Sequence, residues 1–370
     1  MLSGWRELTF EKKRSIMRWV TGVVIVYAVL IAYSAHSMYA NRVKADANHA
    51  VRMSPTGVEA GKTPPDPVPE QGSFTNVTVG VYVDDFDSFS IKDSQWSSNF
   101  YIWFTWKGDK ALDPGGKFIL VDGAIVKKEL MDEYHGTDGV NYQRFRVNGK
   151  MIKYFDAARI PLESHMLNFY VEDGARDASQ LRFVADDASN ISSRANIPGF
   201  RFTGHSTVVK FHTYKSTYGD PRLPADSHRT FSQFVAAVQI TRIDWGFYFK
   251  IFLSLFAALV LALCAFFVKP SDIAPRFALP TSAYFGAVAN SYVVNQLLPP
   301  SGTFGLVDHI VGFGLFTIFI VIMLSLESAH LYIRCDEKPW ALTFDRIMFV
   351  VVGLCCLVAN VVVPLCARGL

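Results

Sequence analysis

Charge is scarce in this chain of 370 residues: 19% of the residues are charged, whereas 50% are hydrophobic. That imbalance excludes an intrinsically disordered protein and is uncommon in a soluble enzyme. The net charge is only +3, so the chain lacks the basic surplus that nucleic-acid binding requires. We therefore expect no nucleic-acid partner.

Motifs of common enzymes and metal sites are also missing. The sequence contains no G-x-S-x-G, H-E-x-x-H, P-loop or G-x-G-x-x-G pattern. Its five cysteines all lie in the last third of the chain, and no pair of C-x-x-C motifs offers a zinc site. We therefore expect no enzymatic activity, no cofactor and no metal.

The sequence contains five long apolar runs. They cover residues 19–40, 246–268, 277–298, 306–326 and 347–366. Each is about 20 residues long, which is enough for a helix to cross a bilayer. The sequence therefore predicts an integral membrane protein with the lipid bilayer as a partner.

The first run has two interpretations. It is either a signal peptide, cleaved near Ala35-His36-Ser37, or a retained anchor, which we favour because the run and the basic segment before it are long. Lys and Arg are concentrated before this run and in two of the later connections, so the N-terminus is expected in the cytoplasm. Both interpretations place the region before the second run outside.

The region between the first and second apolar runs, residues 41–243, lacks long apolar runs. Residues 41–72 hold five prolines and read as a linker. Residues 73–243 then show short segments of alternating polarity, separated by turn signals such as Asn148-Gly149. The segments are residues 78–83, 100–106, 142–147, 166–171, 181–184, 207–213 and 234–242. They predict an antiparallel β-sandwich in 73–243, between an N-terminal part (1–40) and a four-helix part (244–370).

Several motifs, in this order, resemble the prokaryotic branch of the pentameric ligand-gated ion channels. Residues 81–106 resemble the family's first two strands, and 160–167 (IPLESHML) resembles its signature loop. Ile240-Thr241-Arg242 is similar to the strand end before the first channel helix. Residues 295–299, followed by Val307-Asp308, resemble the end of the pore helix and the start of the next.

The resemblance implies a fold and a function. The fold is a mixed β + α membrane protein, with an extracytoplasmic antiparallel β-sandwich followed by a four-helix transmembrane bundle and preceded by an extra N-terminal span. The function is a ligand- or proton-gated channel, assembled as a homopentamer and located in a bacterial inner membrane with the sandwich in the periplasm. Its partners are a permeant ion, an unknown small-molecule agonist or a proton, and copies of itself. The alternatives are a non-conducting membrane-anchored sensor or scaffold and an accessory protein of the same architecture.

Some positions depart from the family pattern. The signature loop has no paired cysteines, and the proline usual early in the first channel helix is missing, with Phe249 near its place. The position of the family's principal-face aromatic residue falls near Gly174. Pro280 is uncommon in a pore helix. The missing aromatic residue argues against binding of an amine in an aromatic cage.

Helical spacing defines the candidate pore surface. With Ser282 facing an axis, the same face carries Ala278, Ser282, Phe285, Ala289, Tyr292, Val293 and Gln296. In a five-fold bundle a Phe285 ring would close the path by dewetting, and Gln296 would line the outer mouth. The alternative is that this face packs against neighbouring helices, with Asn290 and Asn295 as hydrogen-bond partners.

The resemblance also implies residues for coupling, binding and selectivity. Coupling between the domains is expected at Pro161, Glu163, Arg242, Pro299 and Pro300. Ligand contacts are expected in the loop 212–231, at Tyr214, Tyr218, His228 and Phe231. Ala274-Pro275-Arg276 is similar to the inner-mouth motif of anion-selective members and slightly favours anions.

Overall fold

The chain forms two compact units. The computed structural model describes residues 5, 8–59, 62–68, 72–221, 224, 227–243, 245–299 and 302–369. One unit, called here the helical unit, comprises Met1–Val43, Asp156–Glu163 and Asp244–Leu370. The other, the β unit, comprises Lys44–Phe155 and Ser164–Ile243. The segment 156–163, which holds the start of the signature loop, therefore folds with the helices.

The described residues form five long helices. They are α1 (Phe10–Arg52), α2 (Trp245–Leu263), α3 (Ile273–Asn295), α4 (Leu306–Ile333) and α5 (Lys338–Arg368). Among the described residues, four helical stretches are long and apolar enough to cross a membrane, namely α1, α2 with its following turn, α4 and α5. The remaining predicted run forms α3, which falls outside that group because polar side chains such as Ser282, Asn290 and Asn295 interrupt it.

Helix α1 is longer than the sequence suggested. It continues to Arg52, whereas the linker was expected to begin at residue 41. Residues 41–52 contain neither Gly nor Pro, so no helix breaker precedes Pro55. His49 and Arg52 in the last turn also complement the negative end of the helix dipole.

Within the helical unit, α1 packs against α4 and α5. The Tyr27 hydroxyl and the Thr317 hydroxyl form a hydrogen bond of 2.7 Å. Ser34 Oγ lies 2.9 Å from Nδ1 of His309. Near the opposite end, the Trp19 ring meets that of Phe344 edge-on. Buried polar contacts of this kind fix the register of one helix against another in apolar surroundings.

The part of the β unit that the structure describes forms two sheets. Its strands are β1 (Thr75–Ser90), β2 (Gln95–Lys107), β3 (Phe118–Leu120), β4 (Gly123–His135), β5 (Val140–Ile152), β6 (Ser164–Asp173), β7 (Leu181–Ala185), β8 (Asn190–Ile191), β9 (Phe200–Tyr214) and β10 (Arg229–Arg242). A six-stranded sheet has the order β4-β5-β2-β1-β7, with β8 also on β1, and a four-stranded sheet has the order β3-β6-β10-β9. The first sheet is mixed, since β7 and β8 run parallel to β1. The second is antiparallel.

All seven predicted segments lie in strands, but three strands, β3, β4 and β8, were not predicted. The predicted turn at Asn148-Gly149 was wrong. Both residues lie inside β5, where Asn148 pairs with Asn99 and Gly149 with Ser98 of β2. Long ladders on both sides of β5, with β2 and β4, override the local preference of the dipeptide for a turn.

Aromatic rings from both sheets share one core. Phe169 on β6 meets Trp96 and Phe100 on β2, each with ring centroids 4.9 Å apart. Phe86 on β1 stacks on Phe202 of β9. Strand β2 alternates buried and partly exposed residues along its whole length, which is the pattern of a strand with one face in a core. The mixed β and α fold class predicted from the sequence is correct.

Candidate functional site

One face of α3 packs against the rest of the helical unit. The buried residues of this face are Arg276, Pro280, Ala283, Ala287, Asn290 and Val294. They recur every three or four positions, which is one side of a helix. The Asn290 side-chain amide donates a 2.7 Å hydrogen bond to the carbonyl oxygen of Ile251 on α2. Asn290 therefore forms the interhelical hydrogen bond that the alternative interpretation assigned to it.

The opposite face of α3 is uncovered in the single chain. All seven predicted pore-lining residues are exposed there: Ala278, Ser282, Phe285, Ala289, Tyr292, Val293 and Gln296. Phe285 and Tyr292 are 68% and 69% exposed. The stripe alternates small, aromatic and polar side chains. The described helices of the same chain therefore leave this stripe uncovered.

Arg276 does not belong to that stripe. Its guanidinium is fully buried and forms two hydrogen bonds, of 2.9 and 2.6 Å, with the carboxylate of Asp345 on α5. A further 2.7 Å bond joins Nη1 to the carbonyl oxygen of Val268. Since the charge is compensated inside the unit, Arg276 cannot present its guanidinium at an inner mouth. The buried position of Arg276 thus removes the basis for the slight preference for anions.

The signature-loop segment contacts the start of α4. The Leu306 N–H donates a 2.7 Å hydrogen bond to the carbonyl oxygen of Ala158. Leu162 is part of the apolar core that the helices share. A Cβ on Gly305 would lie 2.9 Å from the Ala158 oxygen, so only glycine allows this close approach. Neither Ala158 nor Gly305 was predicted, although a glycine directly before an apolar helix was a usable signal.

The structure places the predicted coupling residues as follows. Pro161, Glu163 and Pro299 are buried. The Arg242 guanidinium lies 4.3 Å from the ring centroid of Phe200 within the β unit. Pro300 lies outside the described residues.

A buried carboxylate forms the centre of a cluster on the four-stranded sheet. Glu172 on β6 is 1% exposed. It accepts hydrogen bonds from the Tyr214 hydroxyl (2.9 Å) and the Gln233 amide (2.7 Å), and His212 Nδ1 lies 2.9 Å from it. Burial, followed by the nearby Glu172 charge, raises the pKa of Tyr214. Sequence reasoning missed Glu172, because its partners lie 40 or more residues away.

Of the four predicted ligand residues, Tyr214 bonds this carboxylate, and the rings of Phe231 and Tyr218 lie beside the Tyr214 ring. The Tyr214 ring is 5.5 Å from that of Phe231 and 6.1 Å from that of Tyr218. His228 is engaged elsewhere, since its Nδ1 lies 2.8 Å from the carboxylate of Asp66. The structure thus groups the rings of Tyr214, Tyr218 and Phe231, whereas His228 is paired with Asp66.

A second aromatic cleft lies on the six-stranded sheet. It has a volume of about 380 Å³ and is lined by Tyr82, Tyr101, Trp103, Tyr142 and Arg144. The indole of Trp103 fills the space beside Gly80, where an added Cβ would lie 2.1 Å from the ring. None of these residues was predicted as a site residue. Their alternation along β1, β2 and β5 puts them on one sheet face.

A scan against protein-family models found no match, and a comparison with curated proteins found none either. Among the described residues, no group of three or more His, Cys, Asp or Glu side chains is arranged to hold a metal ion.

Proposed function

We propose that this chain is the subunit of a homopentameric gated ion channel whose pore is lined by α3. One observation carries the proposal: α3 is too polar for a lipid-facing span, yet its exposed side includes every residue of the stripe that helical spacing selected. Polar side chains in a membrane are stabilised when they face a water-filled cavity. Five copies of the stripe around a common axis would form such a cavity.

The membrane placement follows from the other helices. We propose that α1, α2, α4 and α5 cross the bilayer, with the N-terminus in the cytoplasm and the β unit in the periplasm of a bacterial host. The buried contacts of Tyr27 and Ser34 with α4 support a retained first span. In this arrangement the two sheets form the β-sandwich of the channel family that the sequence resembles.

The activating site is proposed at the Glu172 cluster. A buried acceptor bonded to Tyr214, whose ring lies beside those of Tyr218 and Phe231, suits either a small molecule with a donor group or a proton. Strand β6 carries Glu172 near one end and continues directly from the segment 156–163 at the other. A change in how β6 is held can therefore reach Ala158 and the start of α4 along one continuous stretch of chain. Glu163 and Arg242 are proposed to assist this coupling.

Single-channel recording of the purified protein in planar bilayers tests this proposal. Wild-type protein is expected to show gated unitary currents. Phe285→Ala is expected to raise resting conductance, because it removes the large apolar ring of the stripe. Phe319→Ala, the same change at an exposed position of α4, is the control and should leave the current unchanged. A pentamer that never conducts would support the alternative of a non-conducting sensor.

A further inference from the structure

A crevice opens between α1 and α4 in the helical unit. It has a volume of about 370 Å³. Gly22 and Val26 form one wall, and Phe316 and Ile320 form the other. Gly22 has no heavy atom within 4 Å of where its Cβ would be, so this glycine leaves the space open. From residue 18 to residue 26 the crevice extends about 12 Å along α1, at a rise of about 1.5 Å per residue.

The floor of the crevice offers no free polar group, although one polar residue lies there. Tyr27 lies beneath it, but its hydroxyl is already bonded to Thr317. Apart from Tyr27, the lining residues after Trp19 are all apolar. A slot of this kind suits a hydrocarbon chain, which requires no hydrogen-bond partner.

One end of the crevice is polar and positively charged. Ser15, Arg18 and Trp19 lie there. Arg18 is exposed and forms no ion pair with any described residue. Lys12, nearer the N-terminus, is instead paired with Glu337, with Nζ 2.6 Å from a carboxylate oxygen. A tryptophan beside an uncompensated arginine at the cytoplasmic end of a span is the setting in which lipid headgroups bind.

We propose that this crevice binds one anionic phospholipid, with its headgroup on Ser15 and Arg18 and one acyl chain over Gly22. The inference rests on the membrane placement given under the proposed function, but not on conduction. It assigns α1 a role besides anchoring, since a lipid in this position would bridge α1 and α4.

Native mass spectrometry of the full-length protein in detergent tests the proposal. The probes are phosphatidylglycerol, phosphatidylcholine with the same acyl chains, and inorganic phosphate. We expect one phosphatidylglycerol per chain to be retained in preference to phosphatidylcholine, with no retention of phosphate alone. Equal retention of the two lipids, or retention of free phosphate, would overturn the proposal. The same spectra report the number of chains per particle, so failure of lipid binding and failure of pentamer assembly are distinguishable.

Two matched pairs of variants locate the site. Gly22→Leu should abolish the retained lipid, whereas Gly312→Leu, which also points into open space, should not. Arg18→Gln should reduce the preference for the anionic lipid by about fivefold, whereas Arg14→Gln, an exposed neighbour outside the crevice, should leave it unchanged. Retention of the lipid by Gly22→Leu would place the binding elsewhere and contradict the proposal.

Discussion

Arg276 on α3 and Asp345 on α5 form a bidentate pair within the helical unit, with the two side chains 0% and 2% exposed. Planar guanidinium and carboxylate groups bonded in this way fix both the distance and the orientation of the helices that carry them. The pair thus holds the buried face of α3 against α5, and in doing so it determines which face of α3 remains uncovered.

The pair gives a first prediction. Arg276→Gln leaves the Asp345 carboxylate buried without its countercharge, so the helical unit is expected to lose about 3 to 5 kcal/mol of stability. Arg346→Gln, at an exposed position one residue after Asp345, should cost less than about 0.5 kcal/mol. Thermal unfolding in detergent measures both. Equal effects of the two substitutions would contradict the role given to the pair.

The Glu172 cluster gives a second prediction. Tyr214→Phe removes a hydrogen bond to a buried carboxylate and is expected to weaken local stability by about 1.5 to 3 kcal/mol. Amide hydrogen exchange of β6 and β9 in the full-length protein measures this loss. Tyr218→Phe serves as the control, since Tyr218 is 79% exposed. Unchanged protection of β6 in Tyr214→Phe would show that the cluster does not stabilise the strand.

The contact between Ala158 and Leu306 gives a third prediction. Gly305→Ala places a methyl group 2.9 Å from the Ala158 oxygen, which is backbone and cannot rotate away. We expect the open probability to fall by about fivefold or more. Gly302→Ala, where a Cβ meets no atom within 4 Å, is expected to gate normally. Identical open probabilities in the two variants would remove the segment 156–163 from the coupling path.

Lys153 gives a fourth prediction, on pH. Its ammonium group donates hydrogen bonds to the Met166 carbonyl oxygen and, at 2.6 Å, to Asn168 Oδ1. Desolvation, followed by the Arg52 charge, lowers the pKa of Lys153 to about 7. An unfolded lysine titrates near pH 10.4, so between these two values the unfolded state binds more protons than the folded state. Stability of the β unit should therefore rise as the pH increases from about 7 to about 10, and the cost should be largest below pH 7.

Lys153→Met tests that pH dependence, because it removes the titrating group. Hydrogen exchange of the β unit, corrected for intrinsic rates, is compared between wild type and variant across this pH range. The wild-type protein should gain protection relative to the variant as the pH rises. Parallel profiles would contradict the assigned pKa.

Much of the fold could be predicted because it depends on local patterns. Alternation along residues 100–106 predicted β2, and apolar runs predicted the helices. Strand β4 was missed since most of its residues are exposed at the edge of the sheet, and charged side chains such as Lys127 and Glu129 hide the alternation. Its long pairing with β5 stabilises it instead.

The candidate site also has a part that sequence could predict and a part that it could not. The stripe on α3 follows from helical spacing alone, so sequence was sufficient to select residues that share a face. The pairing of Arg276 with Asp345, 69 residues apart, and the partners of Glu172 depend on tertiary packing. Spacing along the chain carries no information about such contacts, and for Arg276 the family resemblance suggested another position.

Imaging of the intact purified particle tests the central proposal most directly. The account predicts a particle of five chains, each of 41.4 kDa, related by a five-fold axis, with Ser282 and Phe285 of every chain facing a common central space. A particle of a single chain, or an assembly in which the exposed face of α3 lies against lipid, would contradict it.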